Sequence, residues 1–157
     1  MLAEILREHP AIQGTLVDLP RAAEESAERF VAAGVAERAT IVGQSFFDPL
    51  PAGADLYLLS AILNDWPDDQ ATVILAGCAE AARPSGRVVV LGGVSADEQA
   101  VDDLWPEFVL MGGKNRSLTE FRQLALEAGL AVHTAGHLPH GRYAVECRPA
   151  DAVPDRA

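Results

Sequence analysis

Apolar and polar positions alternate along this chain in two rhythms, one helical and one of short buried runs. Leu2, Ile5 and Leu6 share a helical face over residues 2–9, and Pro10 closes that helix. Residues 14–19 read as a strand that ends on an acid, Asp18, before Pro20. Pro20 suits a first helical turn, and Ala22, Ala23, Ala27, Phe30 and Val31 carry a second helix until Gly34 stops it. Residues 39–43 form another apolar run. The loop after it holds Pro49, Pro51 and Gly53, which exclude a helix.

Residues 54–59 are short and bounded enough for a buried strand. The loop that follows carries polar Asn64 and aromatic Trp66, at the strand's carboxyl end. A helix is expected from Pro67 to about Ala82, with Ala71, Ile74, Leu75, Cys78 and Ala82 on its apolar face and Asp68 and Asp69 at its positive end. After a turn at 83–86, residues 87–91 are continuously apolar, the pattern of a parallel strand buried on both faces. Asp97, Glu98, Asp102, Asp103 and Glu107 suggest a solvated helix start. Residues 112–116 read as a loop, and Ser117 with Glu120 fits a capping box that opens a helix running to Gly129. Two alternating runs, 130–134 and 142–147, flank Gly136, Pro139 and Gly141 and predict an antiparallel hairpin. Strand–helix alternation closing in a hairpin means an α/β fold, mostly parallel with one reversed strand. The expected organisation is one domain over 1–148 and a disordered polar tail over 149–157.

Composition narrows the function. Half the residues are apolar, and a net charge of −11 disfavours nucleic acid or an anionic membrane as partner, because phosphates would be repelled. No apolar run has the length of a membrane span. Cys78 and Cys147 lack metal-ligand spacing and read as buried thiols of a cytoplasmic protein. No metal cluster and no Ser-His-Asp set emerges. His133, His137 and His140 fall at the terminal hairpin and read as surface residues away from the catalytic edge.

The loop at 60–70, Ser-Ala-Ile-Leu-Asn-Asp-Trp-Pro-Asp-Asp-Gln, resembles the His-Asp-Trp-x-Asp segment of the S-adenosylmethionine (SAM) dependent O-methyltransferases, the class that methylates plant phenolics and bacterial polyketides. Four further segments are similar to that family in order and spacing: residues 16–20, 45–51, 83–87 and 112–117. The resemblance implies a class I methyltransferase sheet, SAM as cofactor and a phenolic, polyketide-like small molecule as acceptor.

Carried over residue by residue, it implies that Asp18, with Leu19 beside it, meets the ribose hydroxyls. Ser45 and Phe46 match the adenine-contacting pair, with Ser60 and Trp66 completing the cofactor set. Phe46, Phe47 and Trp66 could give the adenine flat apolar walls; read by residue type alone, Phe47 is the phenylalanine expected in the core sooner than Phe46. Phe108, Met111 and Asn115 fall in the acceptor region, along with Trp105 and Val109. The family's catalytic histidine position is Asn64, and its two supporting glutamate positions are Gly92 and Asn115. Asn cannot take a proton at neutral pH, but it can orient a hydroxyl.

The family's first central strand and glycine-rich loop belong before Leu2, and this sequence holds neither. A second polypeptide is therefore expected to supply the strand, the loop and the dimerisation helices, with a swapped homodimer as fallback. Two other readings stay open. One is a non-methylating relative that hydroxylates, decarboxylates or cyclises its substrate. The other is a non-catalytic subunit completing a partner methyltransferase.

Overall fold

The computed structural model describes residues 1–97 and 112–150. It divides into two compact units, Met1–Asp48 and Pro49–Ala157.

In the first unit, helix α1 (Leu2–Glu8) precedes strand β1 (Gly14–Asp18), helix α2 (Pro20–Ala32) and strand β2 (Ala39–Gly43). β1 and β2 are parallel, with Asp18 opposite Gly43 at their carboxyl ends. The apolar stripes read from the sequence meet here. Leu6 of α1 and Phe30 of α2 form a small core with Val35, and Leu2, Leu16 and Ile41 pack around it. Arg38 fastens the end of α1 by donating to the carbonyls of Leu6 (2.6 Å) and Ile12 (3.0 Å). These are carbonyls that a helix end and the turn after it leave without partners.

In the second unit, strand β3 (Leu56–Ser60) leads through a 3-10 turn (Leu63–Asp65) into helix α3 (Asp68–Ala81) and strand β4 (Arg87–Leu91). Short strands β5 (Val94–Ser95) and β6 (Arg116–Ser117) pair in parallel. Helix α4 (Leu118–Glu127) and the hairpin of β7 (Leu130–His137) and β8 (Tyr143–Pro149) complete it. The four-stranded sheet runs β3-β4-β8-β7, parallel between β3 and β4 and antiparallel across β8. Among the described residues β1 has only β2 as strand neighbour and β3 only β4.

The expected apolar face of α3 is buried in full: Ala71, Ile74, Leu75, Cys78 and Ala82. α3 and α4 pack on each other and on β7. The capping box at Ser117 is complete, with Glu120 N–H donating to Ser117 Oγ and Ser117 N–H to Glu120 Oε2.

Four expectations need correction. β4 buries Val88 and Val90 completely but Val89 and Leu91 only in part, so it is not enclosed on both faces. Ser95 lies in a strand, and Asp97 accepts the Thr119 N–H (2.7 Å) and hydroxyl (2.8 Å), so it tethers the start of α4 rather than facing solvent alone. Arg116 is in strand β6, not in a loop. β8 continues to Pro149, which lies opposite Leu130, so the ordered chain reaches into the span assigned to the tail. Glu98, Asp102, Asp103 and Glu107 lie outside the described residues.

Candidate functional site

Parallel strands present their carboxyl ends on one edge, where α/β proteins bind ligands. In the first unit that edge carries Asp18 and Leu19 after β1, and Ser45 and Phe46 after β2. The Gln44 N–H donates to the Asp18 carbonyl (2.9 Å) and ties the two strand ends together. Asp18 Oδ1 accepts the Leu19 N–H at 2.8 Å, which uses one of the four lone-pair positions of the carboxylate. Ser45 Oγ accepts the Phe47 N–H at 3.2 Å and shapes the turn. Of the two phenylalanines, Phe47 is the exposed one, at 40%, and Phe46 is partly buried. The reading that gave Phe47 to the core is therefore reversed.

In the second unit the corresponding edge is built around Asn64. Ser60 ends β3, and Ala61 follows with φ of +52°, a left-handed conformation unusual for a residue with a Cβ. Its N–H donates to the Leu91 carbonyl at 2.9 Å, which holds the strained bend against β4. The Asn64 carbonyl accepts the Lys114 N–H (2.9 Å), and its Nδ2 donates to Asp65 Oδ1 (2.9 Å). A carboxylate only accepts, so this bond fixes which end of the amide is which. Asn64 Oδ1 is left buried with no hydrogen-bond partner. Burial pushes the Asp65 carboxyl above its ordinary value.

Gly93 lies directly against Asn64. A Cβ there would stand 3.0 Å from Asn64 Cβ and 3.2 Å from its N, at a φ of +75°. Only glycine meets both conditions.

The loop around Asn64 and Trp66 is held by Arg116, 1% exposed. Its Nη1 donates to the carbonyls of Leu63 (2.8 Å) and Lys114 (3.1 Å), its Nη2 to the carbonyl of Trp66 (2.8 Å), and its Nε to Asp68 Oδ1 (2.8 Å). Burial raises the Asp68 carboxyl, but the hydrogen bonds and charges of Arg116 and Lys114 outweigh it and hold the group below its ordinary value. Sequence reasoning missed Arg116 because three of its four partners, Leu63, Trp66 and Asp68, lie 48 to 53 residues away. The only signal was its place in the Gly-Gly-Lys-Asn-Arg-Ser segment.

The hairpin also belongs to this edge. β8 is antiparallel to β4, so its first residues lie at β4's carboxyl end, with Ala144 opposite Leu91. Gly92, Gly93, Asn115, His137, His140 and Arg142 line one cleft of about 450 Å³. His137 packs edge-on against Tyr143, with ring centroids 5.0 Å apart, and Arg142 Nη2 donates to Ser60 Oγ at 3.1 Å. The placement of His137 and His140 away from the catalytic edge is thus corrected. Phe108 and Met111, with Trp105 and Val109, lie outside the described residues. Among the described residues no group of acids, histidines and cysteines could hold a metal, and no helix is long and apolar enough to cross a membrane.

Comparison with known proteins gives this edge its context. A family model for the O-methyltransferase domain matches residues 1–131. The 2,7-dihydroxy-5-methyl-1-naphthoate 7-O-methyltransferase of Streptomyces carzinostaticus is 46% identical over 136 residues, which is 86% of this chain and 41% of that protein. The aclacinomycin 10-hydroxylase RdmB of Streptomyces purpurascens is 40% identical over 138 residues, 84% of this chain and 37% of that protein. Among solved structures, the O-methyltransferase NcsB1 from neocarzinostatin biosynthesis, in complex with S-adenosyl-L-homocysteine (SAH) and 1,4-dihydroxy-2-naphthoic acid, matches with a TM-score of 0.82 at 40% identity. That match covers 94% of this chain and 45% of NcsB1. The chain spans less than half the length of these relatives. With the family model matched from Met1 past the end of α4, and a class I methyltransferase fold shared with the solved structures, this chain belongs to the O-methyltransferase domain family.

Proposed function

We propose that this chain is the catalytic-domain portion of a SAM-dependent O-methyltransferase acting on a phenolic, polyketide-like small molecule. The observation that carries the reading is the side chain of Asn64, whose carbonyl oxygen is buried without a donor while its amide nitrogen is committed to Asp65. A buried acceptor left unpaired costs about 1–3 kcal/mol, and an acceptor substrate's hydroxyl would supply the missing donor.

The residues present fit the cofactor. Asp18 sits at a parallel strand's carboxyl end with lone pairs left for two ribose hydroxyls. Within the first unit Ser45 and Phe46 would meet the adenine, with Leu19 beside Asp18; Ser60 and Trp66, in the second unit, are proposed as cofactor residues on the sequence resemblance alone. SAM supplies an activated methyl group when bound. The chain's own work is alignment, with Asn64 orienting the hydroxyl and Phe108, Met111 and Asn115 shaping the acceptor pocket. Asn64 takes no proton, so the acceptor ionises by itself, which a phenol conjugated through its ring to a distant carbonyl does more readily than an ordinary one.

One other reading has a specific observation behind it. A relative 40% identical is a hydroxylase, and Asn64 lacks the basicity that methylation of an ordinary phenol would use. A non-methylating relative of the hydroxylase, decarboxylase or cyclase type is therefore the alternative. A non-catalytic subunit completing a partner methyltransferase has less support, because Asp18 and Trp66 are retained.

The proposal extends to partners. Among the described residues one edge of β1 and one of β3 have no strand neighbour and present rows of backbone N–H and C=O groups, and such edges recruit another strand. A segment outside these residues would supply such strands together with the glycine-rich loop and dimerisation helices, and a second polypeptide or a second, swapped copy is one source for it. The free, buried Cys78 and Cys147 suit a cytoplasmic enzyme.

Calorimetric titration of the complete protein with SAH tests the cofactor site. Asp18→Ala should weaken binding by about 1.5–3 kcal/mol, the worth of charge-assisted hydrogen bonds. Unchanged affinity would remove Asp18 from the site.

A further inference from the structure

The cleft beside β4 has a charge character opposite to that of the chain. The sequence holds 23 acids against 12 lysines and arginines, yet among the described residues no acid lines the cleft, while Arg142, His137 and His140 do. Two of its lining residues, Gly92 and Asn115, carry no charge. Arg142 uses one of its five N–H donors on Ser60 Oγ, and among the described residues no carboxylate pairs with it. Gly92 and Gly93 have no side chains, which lets a flat ring lie close to the backbone. An arginine fork without a carboxylate partner among the described residues matches a planar anion in two parallel hydrogen bonds.

We infer that this cleft binds a carboxylate carried by the aromatic acceptor, with Arg142 as its principal partner and His140 as its second. The inference rests on the proposed reading of the chain as an acceptor-binding methyltransferase domain, and it narrows the acceptor to aromatic hydroxy acids. The hairpin turn thereby becomes a specificity element. Its arginine anchors one end of the ring while Asn64 receives the hydroxyl at the other. The cofactor's own amino-acid part also carries a carboxylate, so the test must separate the two sources.

The experiment is equilibrium binding by the complete protein of 6-hydroxy-2-naphthoate, whose carboxylate and hydroxyl stand at opposite ends of the ring system, of 2-naphthol (the same ring and hydroxyl without the carboxylate) and, separately, of SAH. The wild-type protein should bind the hydroxy acid about ten- to a hundredfold more tightly than the naphthol, the range expected for charge-assisted hydrogen bonds. Arg142→Gln keeps a donor for Ser60 but removes the charge, and it should erase most of that preference while leaving SAH affinity unchanged. Arg142→Lys should keep part of it, and His140→Ala should reduce it less than the Gln change does. A preference intact in Arg142→Gln, or a wild type that favours the naphthol or binds neither ring, overturns the inference. Loss of SAH affinity with the preference intact also overturns it and assigns the arginine to the cofactor. If the preference depends on Arg142 but no methyl is transferred, the anion site stands and the proposed reaction falls.

Discussion

Removing Arg116 should unfasten the candidate site and cost a large part of the chain's stability. Arg116→Met keeps much of the side chain's length and apolar packing but deletes four donated hydrogen bonds. The bond to the Leu63 carbonyl is fully buried, so no water replaces it, and an unpaired buried carbonyl costs about 1–3 kcal/mol. The carbonyls of Trp66 and Lys114 are only partly buried, and water would recover some of their loss. Asp68 is 53% exposed, so the charge interaction is screened and adds little beyond its hydrogen bond. The sum is about 3–5 kcal/mol, the range seen when one partner of a buried charged network is deleted. That is a large fraction of the 5–15 kcal/mol that folds a typical domain. Arg116→Lys should lose nearly as much, because one ammonium cannot serve three carbonyls and a carboxylate in a planar fork. Urea unfolding of the complete protein, followed by tryptophan fluorescence, reads the change directly. A loss below about 1 kcal/mol for Arg116→Met would refute the idea that this network holds the loop.

Further outcomes follow from the same geometry. Gly93→Ala should destabilise by about 1–2 kcal/mol from its left-handed φ alone and should also displace Asn64; a melting temperature and acceptor affinity equal to wild type would contradict this. Asp68, Asp97 and Glu120 are all held below their ordinary values, Asp68 by Arg116 and Lys114 against its burial, Asp97 by Thr119, and Glu120 by Ser117 and Lys114. Groups lowered in the folded state contribute stability above their unfolded values of 3.8 and 4.5, and that stability is lost as the pH falls through and below them. Asp68→Asn should therefore flatten the acid limb of a stability-against-pH curve, and an unchanged limb would discount its pairing. Cys78 and Cys147 are buried, and burial pushes both thiols up to about 12, so a thiol reagent should modify them only on unfolding. Stoichiometric labelling of the native protein would contradict that burial.

The fold was largely legible in the sequence because its signals are local. Pro20 and Pro67 mark helix starts, Ser117 and Glu120 write their own cap, and Arg87–Leu91 was bounded correctly by the Gly86 and Gly92 on either side. The candidate site could be proposed from the sequence where a short segment carries it, as at Asn64. It was illegible where residues meet across the sheet. Arg116 looks like any loop arginine until Leu63, Trp66 and Asp68 fold around it. His137 and His140 looked remote because the hairpin follows all other elements in the chain. The antiparallel register of β8 on β4, which no local pattern encodes, returns the turn to the carboxyl edge. Phe46 and Phe47 were misordered for a related reason, since adjacent residues of a turn share a composition but not an environment.

The central claim is that this domain transfers a methyl group and that Asn64 aligns the hydroxyl receiving it. The direct measurement is mass spectrometry of products from the complete protein incubated with a hydroxynaphthoate and SAM carrying a deuterated methyl group. The label should arrive on the acceptor's oxygen, and Asn64→Ala should slow its arrival without abolishing it. An acceptor that gains oxygen or loses carbon dioxide without the label, while SAM stays bound, would contradict it.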